Sequence, residues 1–186
     1  MNAKKINNNF EPYKRVVKFA GSAIIVLLEL AAYYYVWMNY YNRNMTVAFW
    51  RRGNWLIAGE YLILSLVLHR LYGGLKVGIY KYWTLVYSHM LSIVGVNAFS
   101  YVQVVLFDKK MHNPAALLGL TALDFVMVLL WALAFKKIYA AMFPKRRLLL
   151  IYGKKPMFHL VNRIDTRDDK YEIAENISID TGLERI

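Results

Sequence analysis

Two carboxyl groups, Glu29 and Asp124, stand in the middle of long apolar stretches of this 186-residue chain. An ionisable side chain is costly at the centre of a membrane, so it usually faces the interior of a helix bundle and marks a functional path or site. A structural role is the alternative, in which each carboxyl group is protonated or hydrogen-bonded and holds helices together. The polar residues considered as partners are Asn97, Ser92 and Gln103. Both interpretations stay open.

The histidines are scattered along the chain, at His69, His89, His112 and His159. No two of them have the spacing that forms a metal site together with a carboxylate. We expect His69 to lie at the membrane interface and His89 to be a hydrogen-bonded packing residue. No Ser-His-Asp set and no facing carboxylate pair stands out, so we predict no catalytic residue and no metal ligand. The absence of cysteine excludes disulfides and thiolate chemistry.

A possible phosphate contact lies at Gly153, Lys154 and Lys155, directly after the apolar run Leu148–Tyr152. A turn between a strand and a helix can present backbone N–H groups to phosphate, and two lysines would add positive charge. The G-x-G-x-x-G pattern of dinucleotide sites is absent. A structural turn is therefore the favoured interpretation, and a cofactor-binding contact at these three residues is the alternative.

Composition points to a membrane protein, since 58% of the residues are apolar and 19% are charged. A membrane span needs about 20 mostly apolar residues. Four segments qualify, with approximate bounds Phe19–Met38, Trp55–Leu71, Trp83–Phe107 and Ala115–Phe135. The first segment does not resemble a cleaved signal, because its apolar run exceeds about 15 residues and no small-residue cleavage site follows it.

Cations are unequally distributed between the two sides of these segments. Lys and Arg residues near the helix ends number 13 on the side of the N terminus and five on the opposite side. The excess of positive charge predicts that both termini are cytoplasmic. Residues 1–144 carry 15 Lys and Arg against five Asp and Glu, within a net charge of +12 for the chain.

Basic runs follow the fourth segment, at Lys136, Lys137, Lys145, Arg146 and Arg147. The simplest interpretation is that they set the topology and contact lipid headgroups. A more specific alternative is that these residues form a binding site for the diphosphate headgroup of a prenyl lipid. We expect the lipid bilayer as a partner, and no nucleic acid, because the basic residues adjoin the helix ends.

The pattern changes after Pro144. Leu148–Tyr152 predicts a buried parallel strand, and apolar spacing predicts a helix from about Pro156 to Ile164. A second strand is expected to begin at Tyr171–Ile173, and a second helix at Thr181–Ile186. Strand, helix and strand in this order open a Rossmann-like unit.

The predicted fold class is therefore an all-α transmembrane four-helix bundle, followed by the first βαβ elements of an incomplete Rossmann-like α/β module. The expected domains are a basic cytoplasmic tail at 1–18, the membrane domain at 19–143 and the partial cytoplasmic module at 144–186.

With these features the chain resembles the N-terminal region of the large bacterial polyprenyl-phosphate sugar phosphotransferases, the family that primes exopolysaccharide synthesis. The resemblance rests on the four spans, on the inner-loop segment Arg70–Leu75 and on the segment Lys145–Gly153 that enters the α/β module. It covers nearly the whole chain. It implies a multi-pass protein of the bacterial cell (inner) membrane.

Members of that family transfer a phosphosugar from a nucleotide sugar to undecaprenyl phosphate, using an Asp-Glu dyad and Mg²⁺ in a C-terminal catalytic domain. No residue here matches that domain, so the resemblance implies no catalytic residue and no cofactor within this chain. The expected function is that of the membrane anchor and partial regulatory region of such an enzyme, with the chain as a fragment. Polyprenyl phosphate and a second copy of the chain are further expected partners.

Two other functions stay open. The chain could be a complete small four-helix membrane protein that moves lipid-linked sugars or assists their movement, with Glu29 and Asp124 along a polar path. It could also be a purely structural anchor that oligomerises.

Overall fold

The computed structural model of the protein describes residues 11–143, 146–152 and 171–178. The chain forms two compact units, Met1–Lys136 and Lys137–Ile186. The predicted helices at 156–164 and 181–186 lie outside the described residues.

Long helices dominate the first unit. After a 3-10 turn at Glu11–Tyr13, the α-helices are α1 (Lys14–Val36), α2 (Asn42–Asn44, a single turn), α3 (Arg51–Tyr72), α4 (Tyr82–Asp108) and α5 (Ala115–Met142). A π-helical turn at Trp37–Tyr41 joins α1 to α2 without a break, so Lys14–Asn44 is one continuous helix of 31 residues. Four helices are thus long and apolar enough to cross a membrane. The prediction of a multi-pass membrane protein is confirmed at this level.

Polar side chains of the four spans face the interior of the bundle together with apolar ones, and the exterior of the bundle is apolar. The buried face of α4 carries His89, Asn97 and Ser100 among its apolar residues. Large apolar side chains point outward from every span, including Leu27 at 56% exposed and Leu130 at 63% exposed. This distribution suits a bundle whose exterior meets lipid, where interhelical hydrogen bonds and packing, not the hydrophobic effect, hold the helices together.

Apolar contacts fill the rest of the interior in two clusters. One lies around Tyr33, Trp37 and Tyr61. The rings of Tyr33 and Tyr61 are stacked, with centroids 3.9 Å apart and planes inclined by 10°. The other lies around Ile25, Ile93 and Val128, so it draws on α1, α4 and α5.

The π-helical turn of the first span contains two buried aromatic residues, Trp37 and Tyr41, and each forms a hydrogen bond outside the turn. Trp37 Nε1 donates a hydrogen bond of 2.9 Å to Asn54 Oδ1 in α3, and Tyr41 OH donates one of 3.2 Å to the carbonyl oxygen of Asn113. A π-turn inserts an extra residue into the helix and re-aims the side chains that follow. These two bonds connect the end of the first span to α3 and to the start of α5.

In the second unit, β1 (Arg146–Tyr152) pairs in parallel with β2 (Tyr171–Ser178). The register runs from Arg146 opposite Tyr171 to Tyr152 opposite Ser178, with an irregularity between Leu148 and Leu149. Both strands coincide with segments in which the sequence predicts strands. The helix that would complete a βαβ unit lies outside the described residues, so the Rossmann-like module stays a prediction.

Close approach of α1 and α5 generates a testable expectation at Gly21. A Cβ atom placed on this buried glycine would overlap the ring of Phe135, whereas a Cβ atom on Gly59 of α3 would meet nothing within 4 Å. We expect Gly21→Val to destabilise the bundle by about 1–3 kcal/mol through overpacking. Thermal unfolding of the detergent-purified chain measures the effect. Gly59→Val is the matched control, since both changes alter helix propensity by the same amount and in the same direction. Equal losses in the two variants would contradict the packing argument.

Candidate functional site

Three ionisable side chains from three helices meet in the bundle interior, and we call them the Glu29–His69–His89 cluster. His69 Nε2 lies 2.9 Å from His89 Nδ1. The Glu29 carboxylate faces both rings, with Oε2 3.5 Å from His69 Nε2 and Oε1 3.5 Å from His89 Nδ1. Both histidines are 0% exposed and Glu29 is 1% exposed.

The helix that carries His69 also orients its ring. His69 Nδ1 lies 2.8 Å from the carbonyl oxygen of Ser65, one turn earlier in α3, and 3.2 Å from Ser65 Oγ. Because a carbonyl oxygen only accepts, His69 Nδ1 carries a proton and donates it there. In the neutral ring, Nε2 then presents a lone pair to the other members of the cluster.

The loop after α3 and one side chain of α5 enclose the two imidazoles. Gly73 ends α3 in the left-handed conformation, with φ of 84°, which glycine adopts without strain. A Cβ atom on Gly74 would lie 2.8 Å from His69 Cδ2, so the second glycine permits the loop to pass directly over the ring. Trp131 packs against His89, with ring centroids 5.4 Å apart.

The protons of two neutral imidazoles do not satisfy this cluster. One proton bonds Ser65, and a second can link the two rings, so the carboxylate receives none. Glu29 Oε1 and His89 Nε2 have no hydrogen-bond partner among the described residues. An unpaired buried carboxylate costs several kcal/mol. The cluster therefore requires one more positive charge, either an added proton or a metal cation.

Asp124 belongs to a second polar group, farther along the bundle. Asn97 Nδ2 donates to Thr121 Oγ1 at 2.9 Å and to Asp124 Oδ2 at 3.3 Å. Tyr61 OH donates to Asn97 Oδ1 at 3.1 Å. These bonds join α3, α4 and α5 around the fully buried Asp124. The arrangement favours the interpretation of Asp124 as a residue that holds helices together.

Of the three polar residues considered as partners of Glu29 and Asp124, one forms such a contact. Asn97 contacts Asp124, as considered from the sequence. Gln103 does not contact it but donates to Glu60, at the edge of a groove of about 570 Å³ on the surface of α3 and α4. Ser92 bonds the carbonyl oxygen of Ser88 in its own helix.

His69 lies in the last turn of α3 and its side chain is fully buried in the bundle, so its position at the membrane interface stays a prediction. Sequence spacing missed the cluster itself. Its members come from positions 29, 69 and 89, and only helix packing brings them together. A signal was present, since an acid in one span and a histidine in each of two others are all candidates for the bundle interior.

The other predicted site residues are in α5, in β1 or outside the described residues. Lys136 and Lys137 are exposed near the end of α5, as lipid-headgroup contacts would be. Arg146 and Arg147 begin β1. Lys145, Gly153, Lys154 and Lys155 lie outside the described residues.

Comparison of the chain with protein-family models, with curated proteins and with solved structures finds no match.

The network around Asp124 predicts a large effect of removing Asn97. Asn97→Ala should destabilise the bundle by about 1–3 kcal/mol, because it leaves the Asp124 carboxyl group and the Tyr61 hydroxyl group without this partner. Thermal unfolding in detergent or nanodiscs measures the loss. Asn39→Ala is the control, since exposed Asn39 donates to the Tyr35 carbonyl oxygen of its own helix, and it should stay within about 0.5 kcal/mol of the parent. Equal stabilities of the two variants would show that the network contributes nothing.

Proposed function

We propose that this chain is the membrane anchor and the first part of a cytoplasmic regulatory module of a bacterial sugar phosphotransferase. The enzyme would transfer a phosphosugar from a nucleotide sugar to undecaprenyl phosphate, and its chemistry would lie in a catalytic domain that these residues do not include. The chain would hold that domain at the membrane surface, where the lipid substrate is.

The observation that carries the proposal is the sequence of elements. Four membrane-length helices are followed by a strand after only three intervening residues, from Met142 to Arg146. That strand pairs in parallel with β2, and parallel strands need a crossover connection of about a dozen residues or more, usually a helix. The 18 residues between Tyr152 and Tyr171 are sufficient for one. This order supports a membrane bundle leading into an α/β module.

The positive charge near the end of α5 agrees with this role. Lys136 and Lys137 are exposed in its last third. Lysines at a membrane surface attract anionic headgroups, at about 1 kcal/mol for each basic residue. The same chemistry would receive the phosphate of a polyprenyl lipid.

Membranes from the native bacterium test this function. Deletion of the codons for residues 14–142 should abolish transfer of radiolabelled phosphosugar from a panel of nucleotide sugars to undecaprenyl phosphate, because the catalytic part would leave the membrane. Expression of the intact gene should restore the lipid-linked product. Normal product formation by the deletion strain would contradict the proposal.

The orientation needed for this role is a separate expectation. The cation distribution predicts cytoplasmic termini, so green fluorescent protein fused after Ile186 should fluoresce and alkaline phosphatase fused after Lys110 should be active. The reverse pattern in the two fusions would place the module on the wrong side for nucleotide sugars.

A second candidate function is movement of lipid-linked sugars, favoured by the burial of two acidic residues, Glu29 and Asp124, in the bundle. Proteoliposomes that hold the purified chain should then translocate a fluorescent lipid-linked sugar, and Asp124→Asn should remove that activity. Unchanged translocation by this variant would eliminate the role of Asp124.

A further inference from the structure

We propose that Glu29, His69 and His89 bind one divalent transition-metal ion inside the membrane bundle. The site is independent of the sugar phosphotransferase role and requires no residue outside the described helices. It uses one ligand atom from each residue: His69 Nε2, His89 Nδ1 and a carboxylate oxygen of Glu29.

The spacing of the three donor atoms fits a single ion. Zinc bonds to imidazole nitrogen and carboxylate oxygen are about 2.0–2.2 Å long, which places neighbouring donors of a tetrahedral site about 3.3 Å apart. The observed separations are 2.9 Å between the two imidazole nitrogens, 3.5 Å from His69 Nε2 to Glu29 Oε2 and 3.5 Å from His89 Nδ1 to Glu29 Oε1. One donor atom from each residue lies within 4.8 Å of the other two. All three residues are buried, so they stay in this arrangement without competition from solvent.

The ligand types select the class of metal. Two imidazoles and one carboxylate suit zinc and ferrous iron, whereas calcium and magnesium prefer sites made of oxygen alone. Three protein ligands leave a position open on a four-coordinate ion, as in sites where the metal binds a small non-protein ligand.

Contacts around the cluster resemble those that support metal ligands. A metal-bound histidine usually donates its other ring N–H to a carbonyl or carboxylate, which fixes the tautomer and turns the second nitrogen to the ion. His69 does this through Nδ1 and the Ser65 carbonyl oxygen, at 2.8 Å. The Gly74 backbone and Trp131 then close the site beside the two rings.

Charge balance distinguishes an ion from a simple hydrogen-bonded trio. A single added proton would pair Glu29 with one histidine, and both nitrogen–carboxylate distances, at 3.5 Å, are long for a hydrogen bond. A divalent cation would contact all three donors at once and neutralise the carboxylate. The alternative, a protonated histidine paired with Glu29, is the outcome that the test must separate from metal binding.

Cobalt titration of the full chain tests the proposal, with the protein purified in detergent through a tag that contains no histidine. After metal is stripped with a chelator, we expect one Co²⁺ per chain, with visible d–d absorption of a low-coordinate site that Zn²⁺ abolishes. Elemental analysis after growth with added zinc should give one zinc per chain. A wild-type protein that shows neither stoichiometric metal nor the cobalt absorption overturns the proposal, and leaves the protonated ion pair as the explanation of the cluster.

Matched substitutions locate the ion. Glu29→Gln, His69→Gln and His89→Gln should each weaken cobalt binding at least tenfold, since loss of even an outer-shell partner costs about 10- to 100-fold in affinity. Asp124→Asn and His112→Gln, which remove a buried carboxylate and a histidine outside the cluster, should bind as the wild type does. Equal binding by the cluster variants would place the ion elsewhere and overturn the proposal.

One further variant adds a spectroscopic signature for His89 as a ligand. The chain has no cysteine, so His89→Cys introduces a single thiol at the site. If His89 is a ligand, the cobalt complex of this variant should gain a thiolate-to-cobalt charge-transfer absorption in the near ultraviolet. A variant that binds cobalt without that absorption would exclude His89 as a ligand.

Discussion

A carboxylate in the interior of a membrane bundle must find donors or a positive charge on other helices, because the surrounding lipid offers neither. Glu29 faces His69 of α3 and His89 of α4 at 3.5 Å, and a proton or cation held among the three side chains would meet this demand, so the three helices have to pack in one register. The demand also explains the glycines of the adjacent loop. Gly73 turns the chain and Gly74 leaves room for the His69 ring, which lets the connection between α3 and α4 lie directly over the cluster.

The second polar group extends the same principle to the fourth span. Asp124 brings α5 to Asn97, and Asn97 in turn bonds Tyr61 of α3. The stacked rings of Tyr33 and Tyr61, together with the π-helical turn at Trp37–Tyr41, connect the C-terminal half of the first span to α3. Polar contacts between membrane helices are individually modest, so the specificity of the arrangement comes from several of them acting together.

The proposed anchor role and the proposed metal site concern different parts of the chain. The order of bundle and parallel strands supports an anchor for cytoplasmic chemistry, and that role asks nothing of the bundle interior beyond stability. The Glu29–His69–His89 cluster has a donor set and a closed environment that stability alone does not require. A bound ion would give the anchor a dependence on metal supply, since binding to the folded state alone stabilises it.

Hydropathy along the sequence determined the four spans, because membrane length and apolar content are local properties. It also identified Glu29 and Asp124 as residues of the interior, since a carboxyl group in lipid is costly wherever the other helices lie. Only the tertiary structure decided which helices adjoin, and therefore that Glu29 meets His69 and His89 while Asp124 meets Asn97. Ligand spacing within one helix follows a period of 3.6 residues, but a site assembled from positions 29, 69 and 89 follows from helix packing, which no local pattern encodes.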